Sequence, residues 1–332
     1  MLRRTISYGL PIALLLSTLT GVAQAPAKTA AKVIIDTDIG DDIDDVFAVD
    51  LAMVSPELKI LGLSGAWGDT ALRGQMLDRL VCETGRTDIA VNVGPSTKPG
   101  TTFTQAPWAR QGIARSHGDA VTFLLDQIRQ APGEITLLAL APLTTIGAAI
   151  DRDPASFRKL KRVVMMGGSV YRGYGDLGYT KPHGPDAEYN IAMDPAAAQK
   201  LFRSGVPIYM MPLDATQLKF DEVKRALLAT VSTPMTDTLQ VLTAEWQRST
   251  GQATPTMFDA VAVAYAVDPA ACPTTPLHIE VDGKGFTRVT PGDVNAQVCL
   301  EPKEDTFFKM LLPRLLEQRF GSGQSCTQSL LK

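Results

Sequence analysis

The stretch KVIIDTDIGDDIDDVFAVDLAMVS, residues 32–55, joins two apolar segments through six aspartates between positions 36 and 45. Its first part, KVIIDTD, is short and rich in β-branched residues, which is typical of a buried strand. Its last part, DDVFAVDLAMVS, carries apolar residues at helical spacing. The stretch therefore predicts a strand, an acidic loop and a helix, in that order.

The same alternation continues along the chain. The runs LKILGLSGAW, EITLLALAP, LKRVVMMGGS and VPIYMMPLDAT read as strands, and helical patterns such as ALRGQMLDRLVCETG and AVTFLLDQIRQAPG lie between them. This order predicts an α/β fold: a single domain with a mostly parallel central sheet flanked by helices. A hairpin is predicted from HIEVDGKGFTRVTPG and NAQVCLEP, and a last helix near residues 304–319. Ligands of such sheets bind at the strand C-terminal ends.

Composition narrows the class of protein. The chain has 332 residues, 45% of them hydrophobic, and a net charge of −3, which argues against a nucleic-acid partner. Residues 1–25 predict a signal peptide, because Arg3 and Arg4 precede an apolar run that ends in AQA. We expect a mature domain at 26–332 that is exported, periplasmic or secreted, and free of the membrane after cleavage. An uncleaved anchor fits less well because the run is short and contains Pro11.

Four cysteines suit an oxidising compartment. Cys272 and Cys299 are one expected pair, and Cys299 with Cys326 is the other pairing considered. The three histidines do not lie at zinc-site spacing.

The aspartates themselves predict a cation site. Carboxylates that lie this close repel one another, and a hard cation relieves the repulsion. Oxygen ligands without nearby histidine or cysteine indicate Ca²⁺ or Mg²⁺. A simpler alternative is that Asp41, Asp42 and Asp44 form a solvated turn and helix cap. A phosphohydrolase with Asp36 as nucleophile is a further alternative, and it fits poorly because Gly40 stands where such enzymes usually carry Thr or Val.

Several segments together resemble the inosine–uridine-type nucleoside hydrolases. They are DTDIGDDIDDVFAV, LAPLTTI, MMGGS, PDAEYNIAMDPAAA and FDAVAVAY, in the order of that family. The first departs from the family pattern, with Ile39 in place of Pro and two extra residues before the last Asp pair. The resemblance implies a nucleoside hydrolase-like fold, a small-molecule nucleoside substrate, and assembly into dimers or tetramers.

The resemblance also implies an activity and a set of roles. The activity is calcium-dependent hydrolysis of the N-glycosidic bond of ribonucleosides to ribose and free base. Asp38 would be a calcium ligand and the general base that activates a calcium-bound water, and Asp36 would support its neighbours. The other implied calcium ligands are Asp45, Asp259 and the Leu140 carbonyl. The implied substrate-binding residues are Asp44, Asp69, Met166, Glu188, Asn190 and Phe258.

At one position this sequence departs from the family pattern and lacks the residue that usually protonates the leaving group. Phe258 stands where one major class of the family has a histidine that protonates the departing base. His117 and His183 are candidates for leaving-group contacts. The simpler interpretation is that each histidine lies in an exposed loop and has no role in the site. The aromatic residues considered for the pocket are Tyr171, Tyr174, Tyr179 and Trp246. Base specificity stays open, as do two alternatives: a calcium-dependent nucleoside- or sugar-binding protein without turnover, and a hydrolase of another ribosylated compound.

Overall fold

The predicted first strand lies inside a nine-stranded sheet. In the computed structural model the described residues are 29–98, 100–179, 181, 183–320 and 326, so the predicted signal peptide at 1–25 lies outside them. The strands are β1 Ala31–Thr37, β2 Leu58–Gly65, β3 Ala90–Val93, β4 Gly118–Asp119, β5 Thr136–Leu140, β6 Arg162–Met166, β7 Ile208–Met211, β8 Thr274–Leu277, β9 Ile279–Val281, β10 Thr287–Val289 and β11 Ala296–Cys299.

The sheet order is β4-β3-β2-β1-β5-β6-β7-β11-β8, and within it only β8 runs antiparallel to its neighbour. The predicted α/β class with a mostly parallel sheet is therefore confirmed. The predicted hairpin is β9 with β10. The segment NAQVCLEP is not part of that hairpin: Gln297 and Val298 pair with β7 of the central sheet instead.

Helices cover both faces of the sheet. They are α1 Asp44–Met53, α2 Thr70–Glu83, α3 Ala106–Ala109, α4 Ala120–Gln130, α5 Thr144–Arg152, α6 Pro154–Phe157, α7 Tyr189–Ala192, α8 Pro195–Phe202, α9 Leu213–Thr216, α10 Glu222–Leu228, α11 Pro234–Thr250, α12 Phe258–Val267 and α13 Glu304–Glu317, with a 3₁₀ turn at Pro269–Ala271. The predicted elements around the acidic loop, β1 and α1, are present. Helix α11 was not predicted.

Alternating side chains of the central strands fill two cores. On β1, Val33 and Ile35 belong to the core under α1, α2, α12 and α13, whereas Ile34 belongs to the core under α4, α5 and α8. This follows from the two-residue period of a strand, which sends successive side chains to opposite faces. Because both faces are covered, the strands are apolar throughout.

The strand order reverses direction beside β1. The chain passes from β1 outward through β2, β3 and β4, and then returns to place β5 on the other side of β1. The crevice at the carboxyl end of such a switch point is the usual ligand site of an open α/β sheet. The loop that follows β1 is the six-aspartate loop, so the fold places the acidic cluster at this crevice.

Two disulfides cross-link the domain, and one of them joins Cys326, near the end of the chain, to the end of α2. Cys272 pairs with Cys299, and Cys82 pairs with Cys326. Of the two pairings predicted as alternatives from the sequence, Cys272 with Cys299 is confirmed and Cys299 with Cys326 is wrong. Among the described residues, no helix has the length and apolar character needed to cross a membrane.

Candidate active site

Three buried aspartates converge from two helix starts. Asp44 and Asp45 lie in the first turn of α1, and Asp259 lies in the first turn of α12, which packs against α1. One carboxylate oxygen from each lies within 4.8 Å of the others. The Asp259 amide donates to Asp44 Oδ2 over 3.0 Å. Two helix N-termini thus favour the negative charges that they hold.

The cluster carries more negative charge than its surroundings neutralise. Burial raises the pKa of Asp44, Asp45 and Asp259 well above the usual aspartate value, and the negative charges of neighbouring aspartates, Asp38 among them, raise it further. The Thr37 hydroxyl donates to Asp45 Oδ1 and opposes the shift on that residue. A bound cation would relieve both the burial cost and the repulsion.

Asp38 lines the same cavity but is outside this group of three. Its side chain is buried, and burial raises its pKa to about 7, a shift that the charge of Arg73 opposes. Burial raises the pKa of the neighbouring Asp36 to about 8, and the negative charge of Asp38 raises it further. A carboxyl group with a pKa near neutrality is suited to exchanging a proton with water.

Arg73 holds the acidic loop in place. Its Nη1 donates to the Asp38 carbonyl and, over 2.8 Å, to the Ile39 carbonyl. Its Nε donates to the Trp67 carbonyl over 2.7 Å, and its Nη2 lies 3.0 Å from Asp41 Oδ2. The Arg73 residue is 1% exposed, so these contacts are made away from water. Asp41, which had no assigned role from sequence, is thus the partner of a buried cation.

A second loop, around Thr101, contacts Asp41. The Thr101 hydroxyl donates to the Asp41 carboxylate and lies 3.3 Å from the Tyr189 hydroxyl, to which Trp67 Nε1 donates over 3.1 Å. Trp67 has a φ of 63°, an uncommon backbone conformation for a bulky residue. Strained backbone of this kind clusters at functional sites. These contacts join the acidic loop to the segment around Thr101 and to the start of α7.

The residues that follow β6 form a hydrogen-bonded shelf at the cavity. Glu188 caps α7 and accepts from the amides of Asn190, over 2.9 Å, and Gly168, over 2.7 Å. The Asn190 side chain donates to the Met166 carbonyl over 3.2 Å. Burial raises the pKa of Glu188 to about 7, which these amide donors oppose. Polar groups held in this way suit hydroxyl-rich ligands.

A cavity of about 410 Å³ collects most of the residues predicted from sequence. Nine of them line it: Asp38, Asp44, Asp45, Leu140, Met166, Glu188, Asn190, Phe258 and Asp259. Sequence reasoning assigned no role to the other polar residues of the lining, which are Asp41, Asp42, Thr101, Thr102, Thr104, Tyr189, Ser249, Thr250 and Gln252. Asp41 and Asp42 belong to the acidic stretch from which a cation site is predicted. No local sequence pattern indicates that the loop around Thr101 or the end of α11 lines the cavity.

Four predicted site residues lie elsewhere. Asp69 is exposed and caps α2 by accepting from the Leu72 amide over 3.1 Å. Asp36 is buried and does not line the cavity, and neither of its carboxylate oxygens has a hydrogen-bond partner among the described residues. His117 Nε2 lies 2.7 Å from Asp78 Oδ2, and its side chain is 3% exposed. His183 is largely exposed and contacts the Tyr174 carbonyl over 3.1 Å. Neither histidine lines the cavity.

Aromatic rings form one part of the cavity wall. Phe258 and Tyr174 meet edge to face, with ring centroids 6.3 Å apart, and Trp246 of α11 lines the same space. The Tyr174 hydroxyl accepts from the Tyr189 amide over 3.0 Å. Of the four aromatic residues considered from sequence, Tyr171 and Tyr179 are exposed and outside this wall.

Comparison with known proteins identifies the family. The sequence profile of the inosine-uridine preferring nucleoside hydrolases matches residues 33–309. The chain belongs to this family. The match extends from β1 into α13 and so contains the whole cavity.

Named relatives differ in how much of their length is matched. Pyrimidine-specific ribonucleoside hydrolase RihB of Escherichia coli O157:H7 is 29% identical over 278 residues, which cover 76% of this chain and 83% of that protein. Uridine nucleosidase 1 of Arabidopsis thaliana is 35% identical over 207 residues, covering 58% of this chain and 59% of that protein. The chain spans about three fifths of the length of the first curated relatives that it matches.

Solved structures support the fold. A plant nucleoside hydrolase, the PpNRh1 enzyme, superposes with a TM-score of 0.74 at 24% identity, covering 87% of this chain and 99% of that one. At this level of identity the likeness concerns the architecture: a mostly parallel sheet flanked by helices in one domain.

Proposed function

We propose that this protein is an exported, calcium-dependent hydrolase that cleaves the N-glycosidic bond of ribonucleosides to ribose and free base. Family membership and the name of RihB, a pyrimidine-specific ribonucleoside hydrolase, support the activity. The observation that carries the proposal is the meeting of Asp44, Asp45 and Asp259 at the switch-point crevice, beside a buried Asp38.

The donor set fits a calcium ion. The three clustered side chains offer only carboxylate oxygens, and Leu140 at the end of β5 lines the same cavity. In this proposal the Leu140 carbonyl adds a neutral oxygen. Hard divalent cations prefer such oxygen ligands. In this proposal Asp45, Asp259, Asp38 and Leu140 hold the ion. Asp44 binds ribose hydroxyls, although its place in the cluster makes it a ligand candidate as well.

The chain's own groups account for the remaining chemistry. When bound, the calcium ion supplies positive charge that makes a neighbouring water more acidic. Asp38 accepts the proton of the attacking water, in the role of general base that the family resemblance implies. The oxygen of that water bonds to the anomeric carbon while the C–N bond breaks. The electron pair of that bond goes to the base nitrogen, which takes up a proton to give the free base. The carboxylates around the sugar favour the cationic character that develops on it in glycoside hydrolysis.

The sugar would be oriented by the shelf that follows β6. Glu188 and Asn190 are held rigidly by backbone amides and by the Met166 carbonyl, so their polar atoms are positioned before a ligand arrives. Preorganised groups of this kind reduce the entropy cost of reaching a reactive geometry. The Met166 side chain supplies an apolar surface beside them.

Export is supported by the sequence and by the cysteines. The signal-like segment at 1–25 lies outside the described residues. All four cysteines pair in two disulfides, which persist in oxidising compartments such as the periplasm. Detection of the processed chain outside the cytoplasm, by fractionation and N-terminal sequencing, would test this part.

Release of free ribose tests the activity. Purified mature protein should liberate ribose from at least one nucleoside with calcium, and lose this activity in EDTA. Asp38→Asn should lower kcat by about 10²–10⁴-fold, because it removes the proton acceptor while keeping the side-chain size. Circular dichroism of the variant serves as the folding control. An Asp38→Asn enzyme with the wild-type rate would show that the base is misassigned, and calcium binding without any ribose release would favour the binding-protein alternative.

A further inference from the structure

The segment between β6 and α7 presents a cavity residue on a backbone without regular structure. None of its described residues belongs to a helix or strand, and Gly173 and Gly175 flank Tyr174, which lines the cavity. Gly175 has a φ of 76°, a conformation that favours glycine. Glycine also loses more conformational freedom on folding than any other residue. The position of Tyr174 therefore depends on contacts that other elements make with this segment.

Asp214 of α9 makes the first of these contacts. Because β7 runs beside β6, α9 begins next to the residues that follow β6. Asp214 Oδ2 accepts from the Val170 amide over 2.8 Å. Asp214 Oδ1 accepts from the amides of Tyr171, over 2.8 Å, and Arg172, over 3.2 Å. The Asp214 residue is 5% exposed, so a single buried carboxyl group fixes three consecutive amides.

Gln217, directly after α9, holds the next residues of the same segment. Its Oε1 accepts from the Gly175 amide over 2.7 Å. Its Nε2 donates to the carbonyl of Gly173 over 3.0 Å and to that of Asp176 over 3.3 Å. The backbone is thus bound on both sides of Tyr174 by a side chain that does not itself line the cavity.

The segment is joined to the shelf that follows β6 at two points. Near its start, the Gly168 amide donates to Glu188 Oε2 over 2.7 Å. Further along, the Tyr174 hydroxyl accepts from the Tyr189 amide over 3.0 Å, in the first turn of the helix that Glu188 caps. A shift of the segment would therefore also move the carboxylate of Glu188.

We infer that Asp214 and Gln217 are positioning residues for sugar binding. From outside the cavity they hold residues 170–176 in the geometry that keeps Glu188 in place to bind a hydroxyl group of the substrate. This inference rests on the proposed function and adds two residues to its machinery. Neither residue touches the substrate, so their effect passes through Tyr174 and Glu188.

The size of the effect follows from what each substitution removes. Asp214→Asn keeps the side-chain size but replaces one acceptor oxygen by an NH₂ group, which then faces an amide donor. Gln217→Met keeps the length and removes all the polar contacts of the side chain. A misplacement of about 1 Å can lower a rate about 10²-fold even when the substitution lies away from the chemistry. We expect kcat/KM to fall about 10–100-fold for Asp214→Asn and less for Gln217→Met.

The test uses the mature, calcium-loaded protein and three substrates. They are uridine or inosine, whichever is cleaved faster, and the 3′-deoxy and 5′-deoxy forms of that nucleoside. Comparison of the wild-type protein with Glu188→Gln identifies the hydroxyl that Glu188 binds: its removal should cost the wild type about 10-fold or more in kcat/KM, and the variant much less. We expect Asp214→Asn and Gln217→Met to weaken discrimination at that same hydroxyl and to leave discrimination at the other one unchanged.

A purely structural role predicts a different result. Partial unfolding lowers kcat/KM equally for all three substrates, so wild-type ratios in both variants would overturn the inference and leave the proposed function standing. The inference is also overturned if Glu188→Gln weakens discrimination at neither hydroxyl. Absence of base release from any nucleoside by the wild-type protein would remove the proposed function, and the inference with it.

A double variant tests whether Asp214 acts through Tyr174. Tyr174→Phe keeps the ring and removes only the hydroxyl that accepts from the Tyr189 amide. The loss of kcat/KM in Asp214→Asn/Tyr174→Phe should be clearly smaller than the product of the two single losses, because both substitutions release the same contact. A loss equal to the product would show that the two residues act independently and would overturn the coupling.

Asp153→Asn is the matched control. Asp153 accepts from the Ser156 amide over 2.9 Å at the start of α6 and does not line the cavity. This variant should lower the Tm without changing any ratio of kcat/KM values. Circular dichroism monitors the fold of each variant. If Asp214→Asn does not fold, Gln217→Met tests the same inference, since it keeps the three contacts of Asp214.

Discussion

The buried pair of Arg73 and Asp41 offers a quantitative test of how the acidic loop is held. Arg73→Met keeps the apolar stem and removes the guanidinium, which contacts Asp41 and the carbonyls of Asp38, Ile39 and Trp67. The Arg73 side chain is 2% exposed and that of Asp41 is 12% exposed, so solvent replaces little of what is lost. Breaking a buried pair by removing one partner costs about 3–5 kcal/mol. We expect a loss of this size in the free energy of unfolding.

Urea denaturation in EDTA measures this loss without a contribution from metal binding. The double variant Arg73→Met/Asp41→Asn should lose less free energy of unfolding than the two single variants lose together. The difference should be about 0.5–3 kcal/mol, because the double variant also removes the uncompensated carboxylate. Arg115→Met is the matched control: Arg115 pairs with Asp78, its side chain is 58% exposed, and its loss should cost about 0–1 kcal/mol. A loss below about 1 kcal/mol for Arg73→Met would refute the view that this pair anchors the loop.

Two further predictions concern the metal-free protein and the disulfides. Burial raises the pKa of Asp36 to about 8 and of Asp38 to about 7, so the folded metal-free protein holds protons that the unfolded chain releases at lower pH. The resulting stabilisation is present at low pH and is lost as pH rises through these values. The Tm in EDTA should therefore fall between about pH 5 and pH 9, and saturating calcium should flatten the slope; a flat profile in EDTA would contradict this. Replacing Cys272 and Cys299 by serine opens a loop with a sequence separation of 27 residues and should cost about 3–4 kcal/mol in urea denaturation, whereas an unchanged midpoint would show that the bridge does not stabilise the fold.

The strand, acidic loop and helix at residues 32–55 could be predicted from sequence because the signals are local. β-branched residues in a short apolar run form β1, and apolar residues at helical spacing form α1. The alternation of such units also specified the mostly parallel sheet. The family resemblance also predicted nine of the residues that line the cavity. Helix α11 was missed, although its start at Thr233 has a capping box and its end at Gly251 is left-handed.

Tertiary structure decided how those residues are used. Asp259 donates its amide to Asp44 from 215 positions away, a contact that no local pattern encodes. Asp41 was unassigned in sequence and became the partner of Arg73, because α2 carries that arginine beneath the acidic loop. His117 lies against Asp78 instead of the cavity, since its neighbouring helix offers a carboxylate there. The sequence by itself determined which groups are acidic, apolar or aromatic; only the packing of α1 against α12 and the reversal of strand order at β1 decided which of them meet.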